Sequence, residues 1–324
     1  MPNNSILVLG SSNTDMIIKV DRIPKAGETI LGGEFVSAAG GKGANQAVAA
    51  ARAGGTVTFI ARVGTDVFGE KAVAGFVAEG INVDHVFRDP ASPSGVALIF
   101  VAKDGENSIA VASGANAKLL PADVSKARDA FRAAAVLLLQ LETPLETVQA
   151  AAKLAAGDGV RVILNPAPAR PLPDALLNNL YLLTPNESEA ELLTGMAVDG
   201  EAAANKAADI LLARGVQNVI LTMGARGAFV AGKGIRQLVP AFKTQAVDST
   251  GAGDIFNGAL AVALAEGKSL LEAARFASAA AAISVSRLGA QTSAPTRQEI
   301  EQRLNEVLDG RGKKARRTGC GTSS

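Results

Sequence analysis

The segment Asp248–Gly258, with the sequence DSTGAGDIFNG, places glycine and alanine between two aspartates just before a long apolar stretch. Small residues leave backbone amides open to close approach by a ligand. Amides at a helix N-terminus, reinforced by the helix dipole, bind anions. Gly251, Ala252 and Gly253 are therefore candidates for a phosphate site. Asp254, just inside the helix, could then act on an attacking group, although a helix cap after a tight turn explains the same pattern.

A second polar segment, AAGGKGANQAVAAARAG over residues 38–54, also opens a predicted helix. Gly40 and Gly41 permit close approach of a ligand to the backbone. Lys42 and Asn45 offer hydrogen-bond donors at the helix start. An ordinary strand–helix connection has a similar composition, so this segment alone leaves both interpretations open.

Other polar groups follow predicted strands, at the sheet edge where ligands bind in open α/β folds. The segment GSSNTD (10–15) places Asn13 and Asp15 at the end of the first strand. There they could form hydrogen bonds with vicinal hydroxyls, although for this segment alone a polar turn is the favoured explanation. The segment LLQLETP places Glu142 at the end of another strand.

The segment LLTPNESEAELLTG places Asn186 and Glu189 three residues apart on one face of a starting helix. Such a pair could hold a hydrated Mg²⁺, which prefers few protein ligands and several waters. It could equally be an N-cap with its capping-box glutamate. Further along, LTMGARGAFV (221–230) predicts a glycine-rich turn between two strands.

The composition excludes several classes of site. Among 324 residues there is one histidine, His85, in a predicted short strand, and one cysteine, Cys320. This rules out a multi-histidine metal cluster, a Cys/His dyad in the body of the chain and an internal disulfide. Tryptophan is absent and aromatic residues make up 4% of the chain. A sugar or base site must therefore work mainly through hydrogen bonds and backbone contacts.

Standard nucleotide motifs are missing. The triplet GKS (267–269) is not a P-loop, because that motif needs a glycine at the position of Val262. The first strand is followed by GSSNTD instead of the glycine fingerprint of dinucleotide-binding proteins. The net charge is +1, with five basic and no acidic residues in 311–324, which we expect to be a disordered tail. Nothing indicates a nucleic-acid groove, a signal peptide or a bilayer span. We therefore expect a cytoplasmic protein.

Short apolar runs alternate with longer alanine-rich segments. The predicted strands are 5–10, 56–64, 135–141, 160–165, 180–184 and 218–224. The predicted helices are 42–53, 67–80, 145–156, 201–214, 251–267 and 269–286. This order predicts an α/β fold with a central, mostly parallel sheet covered by helices on both faces. Two apparent hairpins, 16–38 and 95–112, should pair as a small β-sheet lid over the carboxyl edge of the strands.

The motifs GSSNTD, GGKGANQAVAA, LNPAPAR, TPNESEAELLTG, LTMGARG and DSTGAGDIFNGAL together resemble the ribokinase/phosphofructokinase-B family of carbohydrate kinases. The similarity runs from about residue 5 to 309, and the signatures around 40–45 and 248–258 are highly specific together. NPAPAR and GAQTSAP favour the ribose-phosphorylating members. The resemblance implies a ribokinase-like domain over 1–310 that transfers phosphate from MgATP to the 5-hydroxyl of D-ribose.

The resemblance also implies roles for individual residues. The sugar would be bound by Asn13, Asp15, Gly41, Lys42, Asn45, Glu142 and Asp254. Asp254 would be the base, beside an anion hole formed by Gly251, Ala252 and Gly253. ATP would contact Asn186, Thr222, Gly224, Gly227, Gly253 and Ser278, the last at a position where family members often have histidine or asparagine. Glu189 would act on Mg²⁺ through water, and K⁺ would be bound around Asp248, Thr250, Ser284, Arg287, Gly289 and Ser293.

The lid implies a partner, because two small sheets with one apolar face each can bury it in a symmetric dimer. We therefore expect a homodimer. Alternatives to ribose are deoxyribose, fructose or a nucleoside, and scarce aromatics argue weakly against a nucleoside pocket. A non-catalytic sugar sensor of the same fold is a further alternative, but it would be expected to lose Asp254 or the small residues before it.

Overall fold

The computed structural model describes residues 4–31 and 33–306. The predicted tail 311–324, with Cys320, lies outside the described residues. The main sheet has nine strands in the order β13-β12-β11-β10-β9-β8-β1-β4-β5. These strands are β1 Ser5–Leu9, β4 Thr56–Gly64, β5 Val86–Asp89, β8 Val136–Leu139, β9 Arg161–Leu164, β10 Leu182–Leu183, β11 Val219–Thr222, β12 Ala228–Gly232 and β13 Ile235–Val239.

Seven neighbouring strands of this sheet pair in parallel, namely β5, β4, β1, β8, β9, β10 and β11. Strands β12 and β13 add an antiparallel edge. A second sheet has the order β3-β2-β6-β7. Its strands are β2 Asn13–Val20, β3 Glu34–Gly40, β6 Gly95–Ala102 and β7 Asn107–Ala112. The predicted separate small sheet is confirmed. The hairpins join through the parallel pair β2–β6.

Ten α-helices are described between residues 42 and 284, and a further helix covers 297–306. They are α1 Lys42–Arg52, α2 Val67–Ala78, α3 Pro121–Lys126, α4 Arg128–Ala133, α5 Leu145–Gly157, α6 Asp174–Leu177, α7 Glu187–Thr194, α8 Glu201–Ala213, α9 Ala252–Ala265 and α10 Leu270–Ser284. Within the described ranges, no helix has both the length and the apolar character needed to cross a bilayer.

The core has two layers because the central strands are apolar on both faces. In β1, Ile6 and Val8 pack into the cluster that includes buried residues of α1, α9 and α10. Leu7 and Leu9 point the other way, into the cluster formed with α5 and α8. Successive side chains of a strand face opposite sides, so this run must be covered on both faces. The predicted α/β fold is confirmed.

Three details differ from the sequence expectations. Asn13 and Asp15 begin β2 of the small sheet instead of ending the first strand, because β1 stops at Leu9. His85 lies in a turn, closed by the Val86 amide donating to the Val83 carbonyl at 2.9 Å, and β5 begins only after it. The short helices α3, α4 and α6 and the edge strand β13 were not among the predicted elements.

Candidate active site

The N-terminus of α9 provides open backbone amides. Gly251 is its N-cap with φ of 73°, a left-handed conformation that favours glycine. The helical ladder begins with the Ile255 amide donating to the Gly251 carbonyl at 2.9 Å. The Ala252 amide donates to the Ser249 carbonyl at 3.2 Å. The amides of Gly253 and Asp254 precede the ladder and have no acceptor among the described residues. Both are therefore open donors, but the predicted anion hole of Gly251, Ala252 and Gly253 needs a correction, because the Ala252 amide is used in the turn while the Asp254 amide is open.

Asp254 is 5% exposed and lies against α1. The side-chain amide of Asn45 donates to its Oδ2 at 3.0 Å, and that of Gln46 donates to its Oδ1 at 2.9 Å. Burial raises the pKa of this carboxyl, while nearby Lys42, Asn45 and Gln46 lower the pKa and Glu142 raises it. The hydrogen bonds and the cation therefore offset part of the cost of a buried negative charge.

Glu142 connects the loop after β8 to the start of α1. Its Oε2 accepts the Lys42 backbone amide at 2.9 Å and the Ser11 hydroxyl at 2.5 Å. Burial lowers the pKa of Lys42, but the carboxylates of Asp254, Glu142, Glu189 and Asp15 outweigh it and leave the pKa raised. Lys42 therefore stays protonated at the centre of a carboxylate cluster.

Asn13 and Asp15 reach the same place from the small sheet. The Asn13 Oδ1 accepts the Asn116 side-chain amide at 2.8 Å. A Cβ at Gly41 would lie 2.7 Å from the Asn13 backbone nitrogen, so only glycine permits this approach. Burial raises the pKa of Asp15 to about 6, with Glu142 and Asp254 adding to the rise and Lys42 opposing it. The seven predicted sugar residues therefore converge on one site.

Two of the predicted nucleotide residues, Asn186 and Thr222, lie at the carboxyl ends of β10 and β11. The Asn186 side chain caps α7 by accepting the Glu189 amide at 2.8 Å, and Glu189 accepts the Asn186 amide at 2.9 Å. This is the capping box, one of the two explanations left open by the sequence. Asn186 also forms an isolated parallel bridge with Thr222. The two predicted ATP contacts are therefore neighbours.

The glycine-rich turn after β11 has the predicted place between two strands. Residues Gly224–Arg226 form a 3₁₀ turn. Gly227 follows with φ of 111°, and a Cβ there would lie 2.1 Å from the Val239 carbonyl. Close backbone packing is thus sufficient to require Gly227. Ser278 is buried in α10, which packs against α9 and β12.

The predicted cation residues join two loops behind the start of α9. Asp248 accepts the Thr250 amide at 2.9 Å and the Gly289 amide at 2.8 Å. The hydroxyls of Ser284 and Ser293 are 2.7 Å apart. The guanidinium of Arg287 instead pairs with Glu299, so only its backbone could serve a cation between these loops.

Comparison with known proteins shows the family of this chain. The family described as pfkB family carbohydrate kinase matches residues 3–297. The chain belongs to this family.

Among curated relatives of this pfkB kinase, a ribokinase from Haemophilus influenzae is 48% identical over 94% of this chain and 99% of the relative. A deoxyribokinase from Salmonella typhi is 40% identical over 94% of this chain and 98% of its own. The solved structure of Arabidopsis thaliana ribokinase complexed with ribose and ATP is 35% identical, with a TM-score of 0.87. The match covers 94% of this chain and 99% of the chain in that structure.

Several polar residues beneath the site of this pfkB kinase were missed by the sequence reasoning. Gln140, Asn165 and Thr184 follow directly after β8, β9 and β10, and Gln46 lies on α1. In α9, the Asn257 side-chain amide donates to the Gly253 carbonyl at 2.8 Å, and its Oδ1 accepts the Thr184 hydroxyl at 2.7 Å. The available signal was a buried polar residue directly after each apolar strand, at the edge where ligands bind.

Proposed function

We propose that this chain transfers the γ-phosphoryl group of ATP to the 5-hydroxyl of D-ribose, giving D-ribose 5-phosphate and ADP. The observation that carries the proposal is the position of Asp254, which stands between open amides of α9 and a cluster of polar side chains suited to a sugar. The identity to curated ribokinases over nearly the whole chain supports ribose as the acceptor.

On the sugar side, Asp15 and Glu142 would accept hydrogen bonds from ribose hydroxyls, and Lys42 and Asn13 would donate them. Asn45 would serve both the sugar and the base, since its amide already donates to Asp254. Gly41 would let the sugar approach the backbone. The scarcity of aromatic residues suits a site of this hydrogen-bonding kind.

For phosphoryl transfer, positioning and charge stabilisation matter more than a strong base. Asp254 would accept the proton of the 5-hydroxyl as its oxygen attacks the γ-phosphorus and the bond to the leaving ADP oxygen breaks. The amides of Gly253 and Asp254 would stabilise the negative charge on the transferred group. Gly253 is exposed, and a Cβ there would meet open space, so the approach is unobstructed.

The nucleotide would lie across β10 and β11, contacting Asn186, Thr222, Gly224, Gly227 and Gly253, with Ser278 beyond them. Bound Mg²⁺ supplies positive charge that neutralises the phosphate oxygens. Glu189 fits a water-mediated role, because it is 7% exposed and only its Oε2 is used by the Asn186 amide. One carboxylate plus waters is a donor set that Mg²⁺ accepts.

A K⁺ site between the two loops behind α9 is part of the same proposal. The support is that Asp248 holds both loops together through the amides of Thr250 and Gly289. Cation binding there, with oxygens of Ser284, Arg287 and Ser293 as further candidates, would fix the loop that precedes the anion hole. K⁺ would thus tune the hole without taking part in the chemistry.

The function is tested by measuring ADP release over a panel of sugars, with KCl or NaCl as the salt. D-Ribose should give the highest kcat/KM, with K⁺ raising the rate above Na⁺. Deoxyribose is the main competitor because of the deoxyribokinase relative, and it differs from ribose at O2. Preference for deoxyribose, fructose or a nucleoside would redirect the proposal within the family. Sugar binding without any ADP release would instead favour a sensor.

Asp15 makes ribose binding pH-dependent. Its pKa of about 6 in the ligand-free protein means that it loses its charge as the pH falls through 6. A neutral carboxyl accepts hydrogen bonds less well, so ribose affinity should decrease by up to about tenfold per pH unit below that value. Calorimetric titration of ribose without ATP, from pH 7.5 to 5, measures this. Asp15→Asn should bind more weakly and with a flatter profile, whereas an unchanged affinity of the wild type at pH 5 would contradict the assignment.

We also propose a homodimer formed through the small sheet. Cross-strand pairing puts Met16 beside Leu98, and Ile18 between Phe35 and Phe100, all on one face. Asp15 points to the opposite face because side chains alternate along β2. Phe35 is 64% exposed and Leu98 51%, so this apolar face is open in a single chain. A second copy presenting the same face would cover it. The cytoplasmic location expected from the sequence stays a prediction.

The double change Phe35→Lys and Leu98→Lys should convert the dimer to a monomer, because it places two lysines on the face that the second copy would bury. Sedimentation velocity at micromolar protein measures the effect. The control is Val67→Lys with Val77→Lys, two residues on α2 that are 58% and 57% exposed and lie outside the small sheet. That control should remain dimeric, and a monomeric wild type would refute the interface.

A further inference from the structure

Gln46 on α1 contacts Asp254, the predicted base, and its side chain is completely buried. Its side-chain nitrogen lies 2.9 Å from Asp254 Oδ1 and 3.0 Å from Asn165 Oδ1. One amide group therefore uses both of its hydrogens, one of them on the carboxylate. Asn45, by contrast, reaches the other carboxylate oxygen, Oδ2. The two neighbouring residues of α1 hold the two oxygens of Asp254 separately.

The orientation of the Gln46 amide is fixed by its surroundings. The Gln140 side-chain nitrogen donates to Gln46 Oε1 at 2.6 Å. Turning the amide over would point that oxygen at two acceptors, Asp254 Oδ1 and Asn165 Oδ1, and would lose both hydrogen bonds. Buried polar groups without partners are costly, so the flipped state is excluded. Asn165 is itself tied to β10 by its amide, which lies 3.4 Å from the Thr184 carbonyl.

We propose that Gln46 is a positioning residue for phosphoryl transfer, which fixes Asp254 by a hydrogen bond to Oδ1 and is itself oriented by Gln140 and Asn165. The inference rests on the proposed function, since it assigns Asp254 as the base. It adds a role for a chain of amides that runs from the ends of β8 and β9 through α1 to α9. A freely rotating carboxylate would spend less time aimed at the sugar hydroxyl.

The same contact acts on the charge of Asp254, because a donor to a carboxylate favours its ionised form. The charged groups that face Asp254 are Lys42 on α1, Asp15 on β2, Glu142 after β8 and Glu189 on α7. Helix α10, β1 and β8 also pack on α9, and their buried residues carry no charge. Removal of Gln46 leaves these charges in place and takes away one donor. The pKa of Asp254 should therefore rise.

The test uses Gln46→Met, which keeps the side-chain length without a donor, and Gln46→Glu, which keeps the acceptor for Gln140. We expect Gln46→Met to lower kcat about tenfold at neutral pH, with KM for ribose nearly unchanged. The acidic limb of the kcat profile should move to higher pH. In Gln46→Glu the limb should move at least as far, because two adjacent carboxyls share a proton. Carbon-13 NMR of labelled aspartates, with Asp254 assigned by Asp254→Asn, reports the titration without any turnover.

Asn218→Ala is the matched control for loss of a buried amide. Its side chain donates only to the Tyr181 carbonyl, at 2.9 Å, away from Asp254. It should lower the melting temperature and leave the kcat profile and the Asp254 titration unchanged. If Gln46→Met behaves the same way, Gln46 has only a structural role and the inference is overturned. If the wild type does not phosphorylate ribose, the proposed function fails, while the NMR titration still decides whether Gln46 controls Asp254.

Discussion

Replacing Asp254 with asparagine is expected to lower kcat for ribose phosphorylation by about 10³- to 10⁴-fold, which is the upper range for loss of a general base. This corresponds to about 4 to 5 kcal/mol of transition-state stabilisation. An amide cannot take the proton of the 5-hydroxyl at any pH used by the enzyme. The open amide of Gly253 is left in place, so the nucleotide should still bind. Pre-steady-state and steady-state ADP release, with ribose affinity measured separately by calorimetry, gives the two effects independently.

Glu142→Gln is the matched carboxylate-to-amide control. Glu142 accepts the Lys42 amide and belongs to the sugar side of the site, and its oxygens do not contact the base. Its replacement should mainly raise KM for ribose, whereas Asp254→Asn should mainly lower kcat. A kcat within tenfold of the wild type in Asp254→Asn would refute Asp254 as the base.

The overall architecture was predictable because the pattern of each main element is local. β1 and β8 are short apolar runs with both faces buried. Helices α9 and α10 are long enough for the sequence pattern to indicate where each begins and ends. Helices of four to six residues, such as α6, are too short for a helical period to appear. Asn13 and Asp15 were placed on the wrong strand because Gly10–Ser12 separates two β segments without any turn signal that sequence reasoning recognised.

The site was predictable where residues cluster in glycine-rich segments and unpredictable where it depends on contacts between distant segments. Gln46 and Asp254 are 208 positions apart, and Gln46 and Gln140 are 94 apart. Nothing local to Gln46 indicates which residue its amide meets. That depends on how closely α1 and α9 pack, and this distance is set by tertiary contacts that cannot be read from a single sequence.

Gly258 controls this packing distance. A Cβ at this position would lie 2.6 Å from the Ala49 Cβ and 2.7 Å from the Gln46 carbonyl oxygen. Both atoms belong to the rigid part of α1 and cannot rotate away. Gly258→Ala must therefore push α1 and α9 apart by about an ångström to restore normal contact. Overpacking of this kind costs about 1–3 kcal/mol in the free energy of unfolding, against a gain of at most about 1 kcal/mol in helix propensity.

The same displacement should reduce activity, because Asn45 and Gln46 hold Asp254 across this helix pair at 3.0 and 2.9 Å. A shift of about an ångström at a catalytic group can lower the rate about a hundredfold, so we expect that loss in kcat. Gly75→Ala is the control, since Gly75 also lies within a helix and a Cβ there would meet nothing within 4 Å. It should stabilise the protein by about 0.5–1 kcal/mol with unchanged kcat. Chemical denaturation and ADP release measure both variants. If Gly258→Ala matches Gly75→Ala in stability and rate, then the close approach of α1 and α9 does not set the geometry of the base.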